Sequence, residues 1–534
     1  MMKSIIKINA LAGIVLFLFT ISASSQELNE ATIKIGRTLG LIDSYYVDST
    51  NLGNLAEKAI IEVLKNLDPH STYVSAKDVK DMNEPLNGNF EGIGIQFNLL
   101  HDTIIIIEPI TGGPSEKVGL KAGDRILTID KEKVTGISMS TSGVRSRLMG
   151  AKGTKVDISV LRRGVKDLLD FTIIRDKIPI YSLDASYMLN KETGYVKLNK
   201  FAATTDKEFS DAITDLKKNN MQNLILDLRG NGGGYMLAAT ALADKFFPDQ
   251  KLLVYISGRK TPRQDHKSTG KGILSSARVV ILTDEGSASA SEILTGALQD
   301  WDRAVVIGRR TFGKGLVQNG FYLNDGSMIR LTIARYYTPS GRSIQSTYQD
   351  GYDKYMENFY KRYTDGEMMS ADSTHFPDSL KYETLINKRT VYGGGGIMPD
   401  VFVAIDTSYN STYFRKLAAK NILNTFALEY FDKNRTMLTG TYKSFDDFNR
   451  KFSYSPADIK AFIAKGEAEG VPYDETQFNI SKAEILLIMK GLIASNIWKV
   501  NEYYQIVNQN DNVLDKALKI ISDTRGYNTI LGYK

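Results

Sequence analysis

Two short apolar runs, each followed by a polar turn and then by a helical pattern, restrict the fold of this chain more than any other feature. Leu224–Leu228 leads into Arg229–Gly234, which reads RGNGGG, and Val279–Leu282 leads into a turn that contains Gly286. Alternating strand and helix patterns predict a mostly parallel sheet covered by helices, the α/β class. Because reactive groups collect at the carboxyl ends of such strands, both turns are candidate parts of one site.

The second turn opens a helix with a serine. Ser289 and Glu292 have the S-x-x-E spacing of a capping box, which predicts that a helix begins near Ser289. Lys314 follows, held between two glycines. These residues alone allow two interpretations. Ser289 can be a helix cap and Lys314 a solvated loop lysine, or the two can be the nucleophile and base of a Ser/Lys hydrolase.

Composition excludes several classes of function. A chain of 534 residues is long enough for about two to four domains. A formal net charge of +6 is too weak to indicate a nucleic-acid partner. The chain has no cysteine, which excludes disulfides and a thiol nucleophile, and its 4 histidines show no zinc-binding spacing. We therefore expect neither a metal nor a cofactor.

Residues 1–25 have the pattern of a secretory signal peptide. Lys3 and Lys7 supply its positive end, and the apolar run Ile8–Ile21 is short for a membrane span. Small residues at Ala23 and Ser25 predict cleavage after Ser25. The protein is then exported, with the periplasm as its expected location. A leader that stays uncleaved and anchors the protein in the membrane is the alternative.

The remaining sequence divides into four segments by pattern. Residues 26–86 are mainly helical, and residues 87–175 carry short strands separated by glycine-rich turns. Residues 176–406 contain the alternating strands and helices. Residues 407–534 are again helical, and we expect them to form a C-terminal accessory domain of about average size.

The segment 87–175 resembles a PDZ domain. Gly92, Ile93, Gly94 and Ile95 look like the carboxylate-binding loop of that fold, and AGDRILTID looks like its helix-to-strand segment. In such a loop, adjacent backbone N–H groups hold a C-terminal carboxylate while the peptide adds to the sheet as an edge strand. The expected partners are protein or peptide substrates with exposed C-termini.

Further motifs extend the resemblance. LDPHSTYVS, GIGI, DLRGNGGG, GSASASE, TFGKGLVQ and GGGGIMPD stand in this order between about Glu27 and Ile405. Together they are similar to the C-terminal processing, or tail-specific, serine peptidases. The resemblance implies an endopeptidase that cleaves exported proteins recognised through their C-terminal tails. The implied fold is a ClpP/crotonase-like mixed-sheet core with an inserted PDZ domain and N-terminal helices. The segment beyond about Thr407 lies outside the resemblance.

The resemblance also implies roles for individual residues. Ser289 matches the nucleophile of the family and Lys314 its general base, while Gln318 looks like the residue that orients the lysine amine. Because Lys314 and Gln318 are four positions apart, they share a face if both lie on one strand. The base must be neutral, whereas a free lysine has a pKa of about 10.4. Burial can lower such a pKa by ~3–5 pKa units.

The same resemblance implies oxyanion donors at two positions. One is the N–H of Ala290, at the helix N-terminus, where the helix dipole favours negative charge. The other is the N–H of Gly232 or Gly233, and the sequence does not decide between these two glycines.

One departure from the family pattern concerns regulation. The family often has an arginine, linked to activation by bound substrate, where this chain has Met149. Arg145 or Arg147 are the candidate substitutes. Two alternatives to a peptidase stay open at this point: a catalytically silent PDZ scaffold and an acyl transfer enzyme of the crotonase type. Adaptor proteins or further copies of the chain are additional candidate partners.

Overall fold

The computed structural model describes residues 29–533, so the signal peptide predicted for residues 1–25 lies outside the described residues. Contacts between residues divide the chain into two units. One unit contains the residues up to Ser75 together with Gly320–Leu331, and the other contains Ala76–Asn319 and Thr332–Lys534. Across residues 29–533, none of the helices has the length and apolar character needed to cross a membrane.

The first unit is built from helices and a short strand pair. Helix α1 covers residues 29–45, and α2 covers Leu52–Lys65. The side chain of Asn51 caps α2, so the predicted helical segment is divided in two at this point. Strand β1, Thr72–Val74, pairs antiparallel with residues 328–330.

The second unit begins with α3, Ala76–Asn87, which leads into the segment that resembles a PDZ domain. Its main sheet has the strand order β3-β4-β5-β7-β8, and β2 pairs with β9 where the chain enters and leaves the segment. The elements are β2 Asn89–Gly92, β3 Ile95–Leu100, β4 Thr103–Pro109, α4 Pro114–Lys117, β5 Arg125–Ile129, β6 Glu132–Lys133, α5 Thr141–Leu148, β7 Lys155–Leu161, β8 Leu169–Ile174 and β9 Asp176–Pro179.

The core that follows contains a six-stranded sheet of order β10-β11-β12-β15-β16-β21, in which every pair except β10–β11 is parallel. The prediction of a mostly parallel sheet is therefore confirmed. The elements are β10 Leu183–Met188, β11 Thr193–Leu198, α6 Thr205–Lys218, β12 Asn223–Asp227, α7 Met236–Asp244, β13 Leu252–Ser257, β14 Gln264–Lys267, β15 Arg278–Thr283, α8 Ala290–Asp300, β16 Val305–Gly308, β17 Leu316–Tyr322, β18 Met328–Tyr337, α9 Tyr352–Thr364, β19 Lys381–Glu383, β20 Thr390–Tyr392 and β21 Val401–Phe402.

The C-terminal region is helical, as predicted. Its helices are α10 Thr412–Ala419, α11 Ile422–Thr441, α12 Phe445–Lys451, α13 Pro456–Ala468, α14 Glu475–Ile497, α15 Val500–Val507, α16 Asn512–Ser522 and α17 Thr524–Ile530. Helices α10 to α14 supply most of two apolar clusters of their own.

The strands of the central sheet place alternate side chains on its two faces. Leu224 and Leu226 of β12 join a buried cluster with the side chains of α6, α7 and α8. Ile225, between them, joins a second cluster that includes Leu514 and Ile521 of α16. Within the predicted C-terminal segment 407–534, α16 and α17 therefore pack against the core sheet. Both helices cover the face of the core sheet that α6 to α8 leave open.

Helix α11 makes the contact between the C-terminal region and the PDZ segment. Along β4, Ile104 and Ile106 point into the PDZ core, whereas Ile105 and Ile107 point to the other side. There they form a small apolar cluster with Leu428 of α11, to which Leu100 also belongs. The C-terminal region thus has two distinct docking surfaces, the core sheet and the PDZ sheet.

Candidate active site

Ser289 lies on the turn between β15 and α8 in a strained backbone conformation. Its φ and ψ angles are 56° and −111°. A positive φ at a residue other than glycine is uncommon and costs of order 1–3 kcal/mol, so the surrounding contacts must hold it. The helix begins at Ala290, directly after Ser289, as the capping-box pattern predicted. One half of that box is the hydrogen bond from the Ser289 N–H to the Glu292 carboxylate, at 2.8 Å.

Glu292 joins the turn of Ser289 to the loop of Lys314. Its side chain is completely buried. One carboxylate oxygen accepts the N–H groups of both Ser289 and Lys314, at 2.8 and 2.9 Å. The other accepts the Gly313 N–H at 2.7 Å and the Thr311 hydroxyl at 2.6 Å. Burial raises the pKa of Glu292 to about 7, although these four hydrogen bonds oppose the shift.

Lys314 lies in the loop before β17, two residues ahead of the strand, so the condition that Lys314 and Gln318 lie on one strand is not met. The predicted contact between the two side chains is nevertheless present. The Lys314 Nζ donates to Gln318 Oε1 at 3.1 Å. The buried hydroxyl of Tyr336 lies 3.1 Å from the carbonyl oxygen of Ser289 and 2.5 Å from that of Lys314, so it can donate to either residue.

The glycines beside Lys314 are required by close packing. A Cβ at Gly313, where φ is +92°, would lie 3.0 Å from the backbone nitrogen of Gly396. A Cβ at Gly315 would lie 3.0 Å from the nitrogen of Gln345. The GGGGIMPD motif is thus brought against the lysine loop, and larger residues at these positions would push the loop away.

The glycine loop after β12 packs directly on the Ser289 turn. A Cβ at Gly233 would lie 2.8 Å from the Cβ of Ser289 and 2.9 Å from the nitrogen of Ala290. Gly232 has open space on the corresponding side. The Gly233 N–H donates to Asn231 Oδ1 at 2.9 Å. Gly233 and Ala290, two of the three residues predicted to surround an oxyanion, therefore meet beside Ser289.

Asn231 was not singled out in the sequence, yet it connects the two turns. It is completely buried. Its carbonyl oxygen accepts the Ala288 N–H at 3.0 Å and the Ser291 hydroxyl at 2.8 Å. Its side-chain amide donates to the carbonyl oxygen of Leu198 on β11, at 2.9 Å. Its position within the RGNGGG run, at the end of a buried strand, was the only signal that could have indicated it.

The predicted peptide-binding loop borders a groove on the PDZ segment. Ile93, Gly94 and Ile95 line a cavity of about 400 Å³, whereas Gly92 packs behind it against the backbone of Leu148 and Met149. The other lining residues are mainly apolar: Phe90, Gln96, Phe97, Thr141, Arg145, Leu148, Met149 and Ile180. The groove has the apolar lining and glycine-rich end that a peptide C-terminus needs.

The two arginines near Met149, Arg145 and Arg147, lie in different places. Arg145 lines the groove, while Arg147 lies 3.7 Å from Glu132 in an ion pair on another part of the surface. Arg175, which no sequence motif indicated, donates to the carbonyl oxygens of Arg147 and Leu148 at 2.8 and 3.0 Å. Arg145 is thus the arginine of α5 that faces the groove.

Comparison with known proteins agrees with this geometry. The sequence model of peptidase family S41 matches residues 192–351, which include Ser289 and Lys314, and a PDZ domain model matches residues 92–173. A third model, a family of unknown function named DUF8443, matches residues 413–499. These matches define the class as a serine-type peptidase with a PDZ domain.

Two curated relatives narrow the class further. The chain is 34% identical to the carboxy-terminal processing protease CtpB of Bacillus subtilis, over 60% of this chain and 67% of the relative. It is 35% identical to a carboxy-terminal-processing protease of Bartonella bacilliformis, over 60% of this chain and 74% of the relative. The chain belongs to the family of carboxy-terminal processing proteases, which confirms the resemblance drawn from the sequence motifs.

Proposed function

We propose that the protein is an endopeptidase in which Ser289 is the nucleophile and Lys314 the general base. The observation that carries this proposal is the buried Glu292 carboxylate, which accepts the backbone N–H groups of both residues. A single side chain thereby fixes the strained turn of Ser289 and the loop of Lys314 together. Such a constraint is what a two-residue mechanism needs, because small misplacements of reacting groups cost large factors in rate.

In the proposed mechanism, the Ser289 hydroxyl attacks the carbonyl carbon of the scissile peptide bond and passes its proton to the neutral Lys314 amine. The tetrahedral intermediate breaks its C–N bond, and the Lys314 ammonium returns the proton to the leaving amine. Water, deprotonated by Lys314, then attacks the acyl-serine ester, and the Lys314 ammonium gives this proton to the Ser289 oxygen as the ester C–O bond breaks. Gln318 accepts a hydrogen bond from the Lys314 amine. This bond restricts the direction of the lone pair on the Lys314 nitrogen.

The oxyanion that forms during this reaction would be stabilised by the N–H of Ala290 and by one N–H of the glycine loop. The hydrogen bond from Gly233 to Asn231 favours Gly232 as the second donor. The role of Gly233 is then steric, because only a residue without a Cβ allows the loop to approach Ser289 this closely.

The test compares the wild type with Ser289→Ala and Lys314→Ala on an unfolded protein substrate. Both variants should lose turnover while keeping the unfolding temperature of the wild type. The matched controls are the surface substitutions Ser276→Ala and Lys354→Ala, which should leave turnover unchanged. Turnover retained by either active-site variant would overturn the assignment of that residue.

We further propose that the PDZ groove captures substrates through an apolar C-terminal residue with a free carboxylate. The supporting features are the apolar lining, the Ile93–Ile95 loop and the single arginine, Arg145, on the wall. A labelled peptide with a free apolar C-terminus should bind and its C-terminal amide should not, since the amide removes the charge that the loop N–H groups hold. Equal binding of the two peptides would contradict this.

We also propose export through the leader at residues 1–25, with the chain divided into segments 26–86, 87–175, 176–406 and 407–534. The leader composition supports export to the periplasm. Mass spectrometry of the protein from cell fractions tests it. A soluble periplasmic form that begins at Gln26 is expected, whereas an intact leader in the membrane fraction would support an anchored form.

A further inference from the structure

The end of the chain reaches the glycine loop beside Ser289. The matched family models end at residue 499, so α16 and α17 lie beyond them. Val513, Leu514 and Ile521 of α16 are nevertheless buried against the central sheet. Asp511, the residue that caps α16, is thereby held at the end of β12, where the glycine loop begins.

Asp511 has two separate tasks. One carboxylate oxygen accepts the N–H groups of Val513 and Leu514, each at 3.0 Å, which caps the helix. The other lies 2.8 Å from the Nη2 of Arg229 in an ion pair. Both side chains of this pair are largely shielded, with 19% of Arg229 and 17% of Asp511 exposed, so solvent weakens the interaction less than it would on the surface.

A second carboxylate, that of Asp227, also holds Arg229 and shares its Nη2 with Asp511. Asp227, which is buried, accepts hydrogen bonds from the Arg229 guanidinium at 2.6 to 3.1 Å. Lys197 completes the group by donating to Asp227 at 3.2 Å and to the Arg229 carbonyl oxygen at 2.5 Å. Two carboxylates thus balance two cations, and without Asp511 the group would carry an uncompensated positive charge.

Arg229 is the first residue of the loop that continues to Gly233. Two residues further on, Asn231 bonds to Ala288 and Ser291, on either side of Ser289. The loop is therefore fixed at one end by the charged group and at the other by the serine turn. A shift of Arg229 would be transmitted over these few residues to the glycine N–H groups.

We infer that Asp511 is a positioning residue for the reaction, which sets the glycine loop through Arg229 so that the Gly232 N–H meets the oxyanion. This inference rests on the proposed Ser289 mechanism. Under this inference, the C-terminal segment 511–530, which lies outside the matched family models, helps to position the residues that stabilise the oxyanion.

The test separates the two tasks of Asp511. In Asp511→Ser, the serine oxygen still caps α16, but the carboxylate that faces Arg229 is lost. The matched control is Asp523→Ser, because Asp523 caps α17 through the N–H groups of Arg525 and Gly526 and is exposed. Each kcat is measured on an unfolded protein substrate and normalised to the folded fraction, with KM and the unfolding temperature recorded in parallel.

We expect kcat to fall about ten-fold in Asp511→Ser with KM unchanged, because a misplaced oxyanion donor weakens transition-state binding rather than substrate binding. Asp523→Ser should stay within about two-fold of the wild type, and Asp511→Glu should recover part of the lost rate. A kcat per folded molecule equal to that of Asp523→Ser would overturn the inference, as would a loss confined to KM. Activity in Ser289→Ala would instead overturn the mechanism on which it rests.

Discussion

Two contacts between distant segments of the chain differ in how far solvent reaches them. At the active site, Glu292 is completely buried and accepts four hydrogen bonds from two segments, the turn of Ser289 and the loop of Thr311 to Lys314. Between the PDZ sheet and α11, the ion pair of Arg125 and Asp432 is 2.6 Å long, but 36% and 22% of the two side chains are exposed. Buried and fully bonded groups impose a single geometry, whereas exposed pairs contribute little energy.

The difference indicates separate roles. The contacts around Glu292 cannot break without leaving several buried N–H groups without an acceptor, so the active site should be rigid. The contact of α11 with the PDZ sheet rests on Leu428 with three apolar neighbours and on a few exposed charges. We therefore expect this contact to open while both partners stay folded. The following substitutions test this distinction, from the largest expected effect to the smallest.

Glu292→Gln should abolish most of the activity. An amide nitrogen in place of either carboxylate oxygen would face at least one N–H group that can only donate, which costs about 1–3 kcal/mol for each unsatisfied donor. We expect kcat per folded molecule to fall about 100-fold or more, because Ser289 and Lys314 lose their common acceptor. Steady-state kinetics on a protein substrate measures this.

The control for that variant is Glu357→Gln, which removes the same charge from an exposed pair with Lys361. It should change neither kcat nor stability by a measurable amount. If Glu292→Gln kept more than about a tenth of the wild-type kcat, the carboxylate would not be what positions Ser289 and Lys314 relative to each other.

The pH dependence of stability should also report on Glu292. Its pKa is raised from 4.5 to about 7 by burial, so between these values the folded protein retains a proton that the unfolded chain has released. The free energy of unfolding therefore decreases as the pH rises through this window and levels off above about 7, with a total of order 3 kcal/mol. Urea unfolding at a series of pH values measures the slope.

Other carboxyl groups also change the stability between pH 4.5 and about 7. The contribution of Glu292 is therefore measured as the difference in slope between the variants. Burial also raises the pKa of Glu108 and of Glu484. Part of the slope should therefore survive in Glu292→Gln, while Glu357→Gln should retain the wild-type slope. Identical slopes in all three proteins would show that Glu292 is ionised in the folded state throughout this range.

Features that depend on residues close together in the chain could be predicted from the sequence. The buried strands β12 and β15 were recognisable because each is a continuous apolar run with a turn at its end. The contact between Lys314 and Gln318 was predicted from spacing, although Lys314 precedes the strand. Local pattern was sufficient in these cases because the partners are close in the chain.

Long-range partners were not recognisable. Glu292 was identified as part of a capping box, but its hydrogen bonds to Gly313 and Lys314 depend on how two loops meet. The helical pattern of residues 407–534 did not indicate which surface Val513, Leu514 and Ile521 would cover. An apolar stripe specifies burial, and any apolar surface of matching shape can satisfy it.

Leu428→Ala should loosen the PDZ segment without unfolding it. Leu→Ala in a buried site costs ~2–5 kcal/mol, and a small cluster between two elements that can move together should lie at the lower end. Since the chain has no cysteine, spin labels can be placed at Lys166→Cys and Lys433→Cys, on the PDZ segment and on α11. Their distance distribution should broaden in Leu428→Ala.

The matched control is Leu417→Ala in α10, which is equally buried but packs within the helical region. It should lower the stability of that region and leave the label distances narrow. Broadening in both variants would mean that the helical region must be intact as a whole to hold the PDZ segment, and that Leu428 has no special part in it.

The smallest effect is expected from the ion pair. Arg125→Asp places two carboxylates together, and the loss should be about 0.5–1 kcal/mol because both side chains are partly solvated. The label distances should broaden slightly at low salt and less at high salt, where charges are screened. Adding Asp432→Arg restores opposite charges in reversed order and should restore the narrow distribution. A double variant as broad as the single one would show that geometry at this position, rather than charge, holds α11 to the PDZ sheet.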